Sequence, residues 1–282
     1  MPTRSRRVPL LAMAMALALI LAACGDSDDD ETAAPADQTS STATGGDEEY
    51  AVYCAAILAI ETLPGPDIDF EALSPEQQKA AVATFFKDTI KPLASEVQAV
   101  TPDEIRADVA TLIGAVDEAS VSGDFDGVFE TPEVKAAEGR AHQFDLANCG
   151  WAGQNVTAVN YAFQGVSSTI DAGPVSFDLT NQGTEVHEMT ILKKSPGVTE
   201  SFDELLQLPE AEGRMKTERV GGVDPTKPGE SDYAVVNLEP GEYLIACFLP
   251  VGSTPEAFAS ETGPPDGPPH FTKGMKATLT VK

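Results

Sequence analysis

The hydrophobic period of this chain changes once, near residue 150, and that change excludes a single uniform architecture. Before it, apolar residues return at helical spacing: Ile105, Val109, Leu112 and Val116 follow roughly i, i+4, i+7, i+11. After it they alternate, with Val175, Phe177 and Leu179 on one face and Ser176, Asp178 and Thr180 on the other. A side-chain period of about 3.6 places residues around a helix, and a period of about 2 places them on the faces of a strand. The two patterns predict a helical part followed by a sheet part. A length of 282 residues has room for both.

Residues 48–150 carry a repeated helix-start signal. "SPEQ" at Ser74 offers an N-cap serine, Pro at N1 and Gln77 at N3; "TPDE" at Thr101 offers the same with Glu104 at N3; "TPEV" at Thr131 repeats the first two elements. The cap oxygen accepts an orphan N–H, and the proline has none to leave orphaned. With "EEYAVYCAAILAIE" in front, four helices are predicted, most simply an up-and-down bundle. In that packing the start of the first helix and the end of the last share one end. A Cys54–Cys149 disulfide would close the domain there. His142 has no second histidine in this part and is read as a surface or packing residue.

Residues 153–282 read as a β-sandwich of short strands, with turns at "DAG", "NQG", "EPGE" and "TKG". "YAVVNLEPGEYLIACF" (233–248) predicts a β-hairpin or its longer relative, and "KATLTV" (276–281) a closing strand. One short helix is expected over "ESFDELLQL" (200–208).

Ahead of both parts, Arg4, Arg6 and Arg7 precede the apolar run "VPLLAMAMALALILAA", which ends in small residues as a signal peptide does. "LAAC" (21–24) looks like a bacterial lipobox, which implies cleavage after residue 23 and a lipid on the Cys24 thiol. Residues 24–47 then form an acidic tether. The stretch 25–49 has nine acidic residues and no Lys or Arg, too little apolar surface to fold. The expected location is the extracytoplasmic face of a cell membrane, reached through the lipid anchor. A formal net charge of −27 argues against nucleic acid as a partner, because phosphates need Lys and Arg to neutralise them.

The sheet part holds two histidines, His187 and His270, one cysteine, Cys247, and the methionines Met189, Met215 and Met275. A blue-copper site needs two His and one Cys in a plane with a weak axial Met. The inventory allows one such mononuclear site and has no histidine to spare. "NQGTEVHE" puts His187 after a turn between strands, "GEYLIACF" puts Cys247 at a strand end, and "HFTKGM" puts His270 and Met275 in the last loop. This order resembles the cupredoxin family. There the first His follows an Asn-x-Gly turn, the Cys closes a penultimate strand carrying a Tyr, and the second His and the Met share a loop ending in Gly-Met. The pattern Cys247-Phe-x-Pro with His270-x-x-x-Gly-Met is also similar to that of cupredoxin-like lipoproteins. The resemblance covers about 155–282 and implies His187, Cys247, His270 and Met275 as ligands of one copper ion of type 1 character.

One departure stands out: 22 residues separate Cys247 from His270, where small cupredoxins have only a few. Lengthening a loop tenfold costs only about 2 kcal/mol of closure entropy, so His270 can still return to Cys247. Glu188 could brace a ligand, but the reading from sequence has it facing water.

The expected fold is therefore α+β and multidomain: an N-terminal four-helix bundle over 48–150 and a C-terminal cupredoxin-like β-sandwich over 153–282. The function it implies is single-electron transfer or copper handling, with an unknown redox or envelope protein as partner. The alternative is a metal-free recognition module of the cell envelope; zinc in place of copper is a further one. An enzyme is not expected, since multicopper enzymes need more histidines than this part has. The helical part is expected to dock near the metal loop.

Overall fold

The computed structural model describes residues 48–66, 68, 72–260 and 266–282. The expected signal peptide (1–23), the Cys24 lipidation site and the tether (24–47) lie outside the described residues. Among the described residues no helix is long and apolar enough to cross a membrane.

The first half is helical: α1 Ala51–Glu61, α2 Pro75–Phe85, α3 Lys91–Val100, α4 Arg106–Ser122, α5 Phe125–Phe129 and α6 Pro132–Asn148. Helices α2 and α3 form one run through a π-turn at Phe86–Ile90. Pro92 supplies the reason. Inside a helix its ring removes an N–H and collides with the carbonyl four residues back, and a widened turn just ahead makes room. The same turn delivers Phe86 and Ile90 to the helical core.

Of the three start signals, Ser74 forms the full capping box with Gln77. Thr131 precedes α6 as expected, but its hydroxyl donates back to the Val128 carbonyl. Thr101 departs from the expectation. Its hydroxyl donates to Val97 O at 2.7 Å and finishes α3, while α4 begins only after a 3-10 turn at Asp103–Ile105. The unexpected α5 is capped by Asp124. Gly123 ends α4 at φ +63°, and a Cβ there would lie 2.0 Å from Lys79 O, so glycine is required twice over. The Cys54–Cys149 disulfide is present and joins α1 to the end of α6.

The second half holds β1 Ala152–Val159, β2 Ala162–Gln164, β3 Thr169–Ile170, β4 Gly173–Asn181, β5 His187–Lys194, β6 Thr217–Thr226, β7 Ser231–Leu238, β8 Gly241–Ala246 and β9 Lys276–Val281. They form two sheets, β2-β1-β4-β7 and β3-β9-β8-β5-β6. The inward residues Val175, Phe177, Leu179, Ile191, Val236, Ile245 and Leu279 fill the space between them. The expected short helix is α7 Phe202–Leu205, boxed by Ser201 and Glu204, and a second, α8 Glu210–Lys216, follows it.

Two features depart from the sequence expectations. First, β7 and β8 are not a hairpin: β7 pairs with β4 in one sheet, and β8 pairs with β5 and β9 in the other. The Pro-Gly turn is an arch between sheets, closed by the Tyr243 hydroxyl donating to Glu239 O at 2.8 Å. Second, the helices dock on the strand face of β4 and β7. His142 of α6 stacks on Tyr233 with ring centroids 3.4 Å apart, and its Nε2 lies 2.7 Å from Asp178 Oδ1. Trp151, Tyr233 and Val235 pack with Ile57 and Leu58 of α1. This covering layer buries Ser176, a residue the alternation alone would leave in water.

Candidate metal centre

The cluster forms where three strands of the larger sheet end together. His187 opens β5, Cys247 directly follows β8, and Met275 directly precedes β9; β8 lies between the other two and antiparallel to both. Antiparallel pairing therefore carries all three residues to one end of the sandwich.

The turn before His187 is held by Asn181. Its Nδ2 donates to the carbonyls of Glu185 and Thr226, both at 2.8 Å, and its Oδ1 accepts from Gly183 N at 2.8 Å. A Cβ on Gly183 would lie 2.6 Å from His187 Nε2, so the turn approaches the imidazole as closely as only glycine allows.

The long segment between Cys247 and His270 closes at its neck. Val251 N donates to Pro268 O, His270 N to Leu249 O, Phe271 N to Cys247 O, and Cys247 N to Met275 O, at 2.8–3.2 Å. The two arms run as an antiparallel ladder, and beyond it the segment carries the Thr254-capped helix α9 Pro255–Ala259. His270 returns on a 3-10 turn, His270–Lys273, that ends in Gly274 at φ +113°. The extra length thus leaves the cluster assembled.

His187, Cys247 and His270 are fully buried, and their donor atoms lie within 4.8 Å of one another; they are the one such group found among the described residues. His187 Nδ1 is 3.2 Å from His270 Nδ1, and Cys247 Sγ is 3.3 Å from the same atom. Two donors that each reach a common ion at about 2 Å stand about 3–3.5 Å apart, so the spacing suits a shared metal. Met275 is fully buried in the adjoining core with Cys247. Met189 lies in the same core, and Met215 is exposed on α8.

The hydrogen bonding fits the same conclusion. His270 Nε2 lies 3.0 Å from Glu185 Oε2, which fixes the proton on Nε2 and leaves Nδ1 as a bare lone pair. Both His187 Nδ1 and Cys247 Sγ converge on that lone pair, and it can accept only one proton well. His187 Nε2, meanwhile, is buried with no hydrogen-bond partner among the described residues. A cation between the three donors resolves the competition.

Burial pushes His187 down to about 4, with His270 adding to the effect and Glu185 opposing it. Burial likewise lowers His270, against Glu185, and raises the Cys247 thiol. Burial also pulls Glu185 up, but hydrogen bonds from Tyr161, Gly252 and His270 outweigh it and hold the carboxylate below its ordinary range.

Glu185 escaped the sequence reading, which singled out Glu188 instead. Glu188 does not simply face water: its Oε1 accepts from Phe248 N at 3.0 Å, next to Cys247.

No family model matches the chain, and no curated protein matches it. Among solved structures, the chain is similar over 46% of its length to auracyanin B, at 22% identity, 88% of that chain and TM-score 0.30. It is similar over the same share to auracyanin A of Chloroflexus aurantiacus, described as a "blue" copper protein, at 14% identity, 98% of that chain and TM-score 0.29. Reduced rusticyanin follows at 18% identity, 79% of that chain and TM-score 0.27.

Proposed function

We propose that this chain is a membrane-tethered, cupredoxin-like lipoprotein that binds one copper ion and uses it for single-electron transfer or copper handling. The observation that carries this is the buried convergence of His187 Nδ1, His270 Nδ1 and Cys247 Sγ. Two imidazoles and a thiolate are the donor set of a type 1 site, and Met275, buried in the same core as Cys247, would be its weak fourth donor. Copper bound there would supply a one-electron couple that both oxidation states can share without exchanging ligands.

The chain's own residues supply the rest. The sandwich end excludes water from the donors. The Asn181 turn and the 3-10 turn at His270–Lys273 hold the imidazoles before any ion arrives. Such preorganisation limits the rearrangement that electron transfer requires. Two histidines suffice for one mononuclear site, which favours a carrier over a multicopper enzyme.

We further read residues 1–23 as a signal peptide, Cys24 as lipidated and 24–47 as the tether, which places the protein on the extracytoplasmic face of the cell membrane. Its partner is then an unidentified redox or envelope protein, and not nucleic acid. The helical part is read as an up-and-down bundle over 48–150 with the α2–α3 run counted as one helix, and the sandwich as a second domain over 153–282.

The test is a copper titration followed by visible absorption, with Cys247→Ser and His270→Ala as controls. An intense thiolate-to-copper band at one ion per chain, lost in both variants, is the expected result. Absence of stoichiometric binding would instead favour a metal-free recognition module, and a silent site that takes zinc would move the role away from electron transfer.

A further inference from the structure

We infer that Glu185 is the positioning residue for His270, and that the long Cys247–His270 segment serves to anchor it. The inference rests on the copper-site proposal above. Glu185 lies in the turn before β5, two residues from His187, and its carboxylate gathers four donors. Tyr161 Oη donates to Oε1 at 2.7 Å. His270 Nε2 at 3.0 Å, Gly252 N at 2.5 Å and Ser253 N at 3.0 Å all point at Oε2. Two of the four come from the segment that a short-looped sandwich would lack. The next residue adds a fifth link, with Val186 N donating to Ser253 O at 2.7 Å.

The arrangement joins three separate stretches of chain at one carboxylate. Oxygen Oε2 receives two backbone N–H groups from the inserted segment, and that fixes where it sits. From there it faces His270 and determines which imidazole nitrogen carries the proton. The protonated Nε2 is turned outward to the carboxylate, and the bare Nδ1 is turned inward to Cys247 and His187. Tyr161 braces the other oxygen and sets its ring edge-on to His270, with centroids 5.2 Å apart. It is the one non-glycine among the described residues at positive φ, +63°, a conformation disfavoured for a residue with a Cβ. The inserted segment therefore does not open the site. Its Gly252–Ser253 stretch instead holds Glu185 against the outer edge of His270, which is fully buried.

A purely structural brace would hold the loop without governing the imidazole, so the test reads the imidazole itself. Nitrogen-15 NMR of the metal-free full-length protein reports the tautomer of each histidine, and copper titration of the same protein reports affinity. In the wild type, His270 is expected as the Nε2–H tautomer. Glu185→Ala, which removes all four contacts, is expected to mix the tautomers and weaken copper binding about 10- to 100-fold. Glu185→Gln keeps an oxygen for Oε2, and the Tyr161 hydroxyl can turn to accept from the new amide. It is expected to restore the wild-type tautomer and most of the affinity. A wild-type His270 protonated on Nδ1 would overturn the inference without any variant, even if Glu185→Ala fails to fold. So would Glu185→Ala keeping both the tautomer and an affinity within twofold of wild type. If the wild type gives no thiolate-to-copper band, the copper proposal fails, and the tautomer measurements alone decide the role of Glu185.

Discussion

Gly183 sets how near the Asn181 turn can approach His187. A Cβ there would meet His187 Nε2 at 2.6 Å and Asn160 Oδ1 at 2.8 Å; Asn160 is exposed and can yield, but His187 is fully buried and cannot swing clear. Gly183→Ala is expected to displace the imidazole, cost about 1–3 kcal/mol by overpacking, and weaken or abolish the copper band. Urea unfolding and copper titration check both; an unchanged band would mean that the turn yields and the close approach is unimportant. At this scale the candidate ligands were legible because their residue types are scarce. The chain has 3 histidines and 4 cysteines, so two His and one unpaired Cys in the sheet part stood out. Glu185 was not legible, because it is one of 45 acidic residues and nothing in its local pattern marks it. Its role appears only when a loop 67 and 68 residues downstream folds back to give it two N–H groups.

Elements were legible where local chemistry decides them and obscure where tertiary pairing does. The Ser74 capping box is a local device, read from four residues and found as read. Ser74→Ala is expected to cost about 1 kcal/mol, measured by chemical unfolding, and to leave copper binding untouched. The Cys54–Cys149 bond follows from where the first helix starts and the last one ends. Replacing both cysteines by serine is expected to lower stability by about 2–5 kcal/mol, because the bond closes a long loop in the unfolded chain. The copper band should remain, since the disulfide lies outside the cluster; losing the band would tie the helical part to the metal site. The β7–β8 arch is the opposite case. Glu239-Pro240-Gly241 announces a turn, but a turn does not say whether its strands pair or part. What separates them is burial. Ala234, Val236 and Leu238 face the sandwich core while Tyr233 and Val235 face the helices, so β7 is committed to a sheet covered on both sides. The Thr101 signal failed for a similar reason: its hydroxyl had a nearer acceptor in the helix behind it.

At the scale of the whole molecule, the seam between helices and sandwich gathers carboxylates around Tyr233: buried Glu138 and Asp145, and half-buried Glu61 and Asp232. Burial pushes Asp145 up to about 7, and burial followed by repulsion from Asp145 pushes Glu61 up to about 8. Burial, then the charges of Glu61 and Asp232, raises Glu138 in the same direction. An acid whose folded pKa is raised contributes stability that is full below the ordinary carboxylate range, about pH 4, and lost as pH rises through the folded value. Stability is therefore expected to fall between about pH 4 and 8, and Asp145→Asn to flatten that slope in urea unfolding across the range. An equally steep slope in the variant would place the pH dependence elsewhere. The His187–Cys247–His270 cluster stands apart from this seam, at the end of the sandwich. The most direct test is X-ray absorption at the copper edge of the loaded full-length protein. Two imidazole nitrogens and one short thiolate sulfur, the sulfur shell vanishing in Cys247→Ser, are the result this account requires. A shell of nitrogen and oxygen alone, unchanged in that variant, would contradict it.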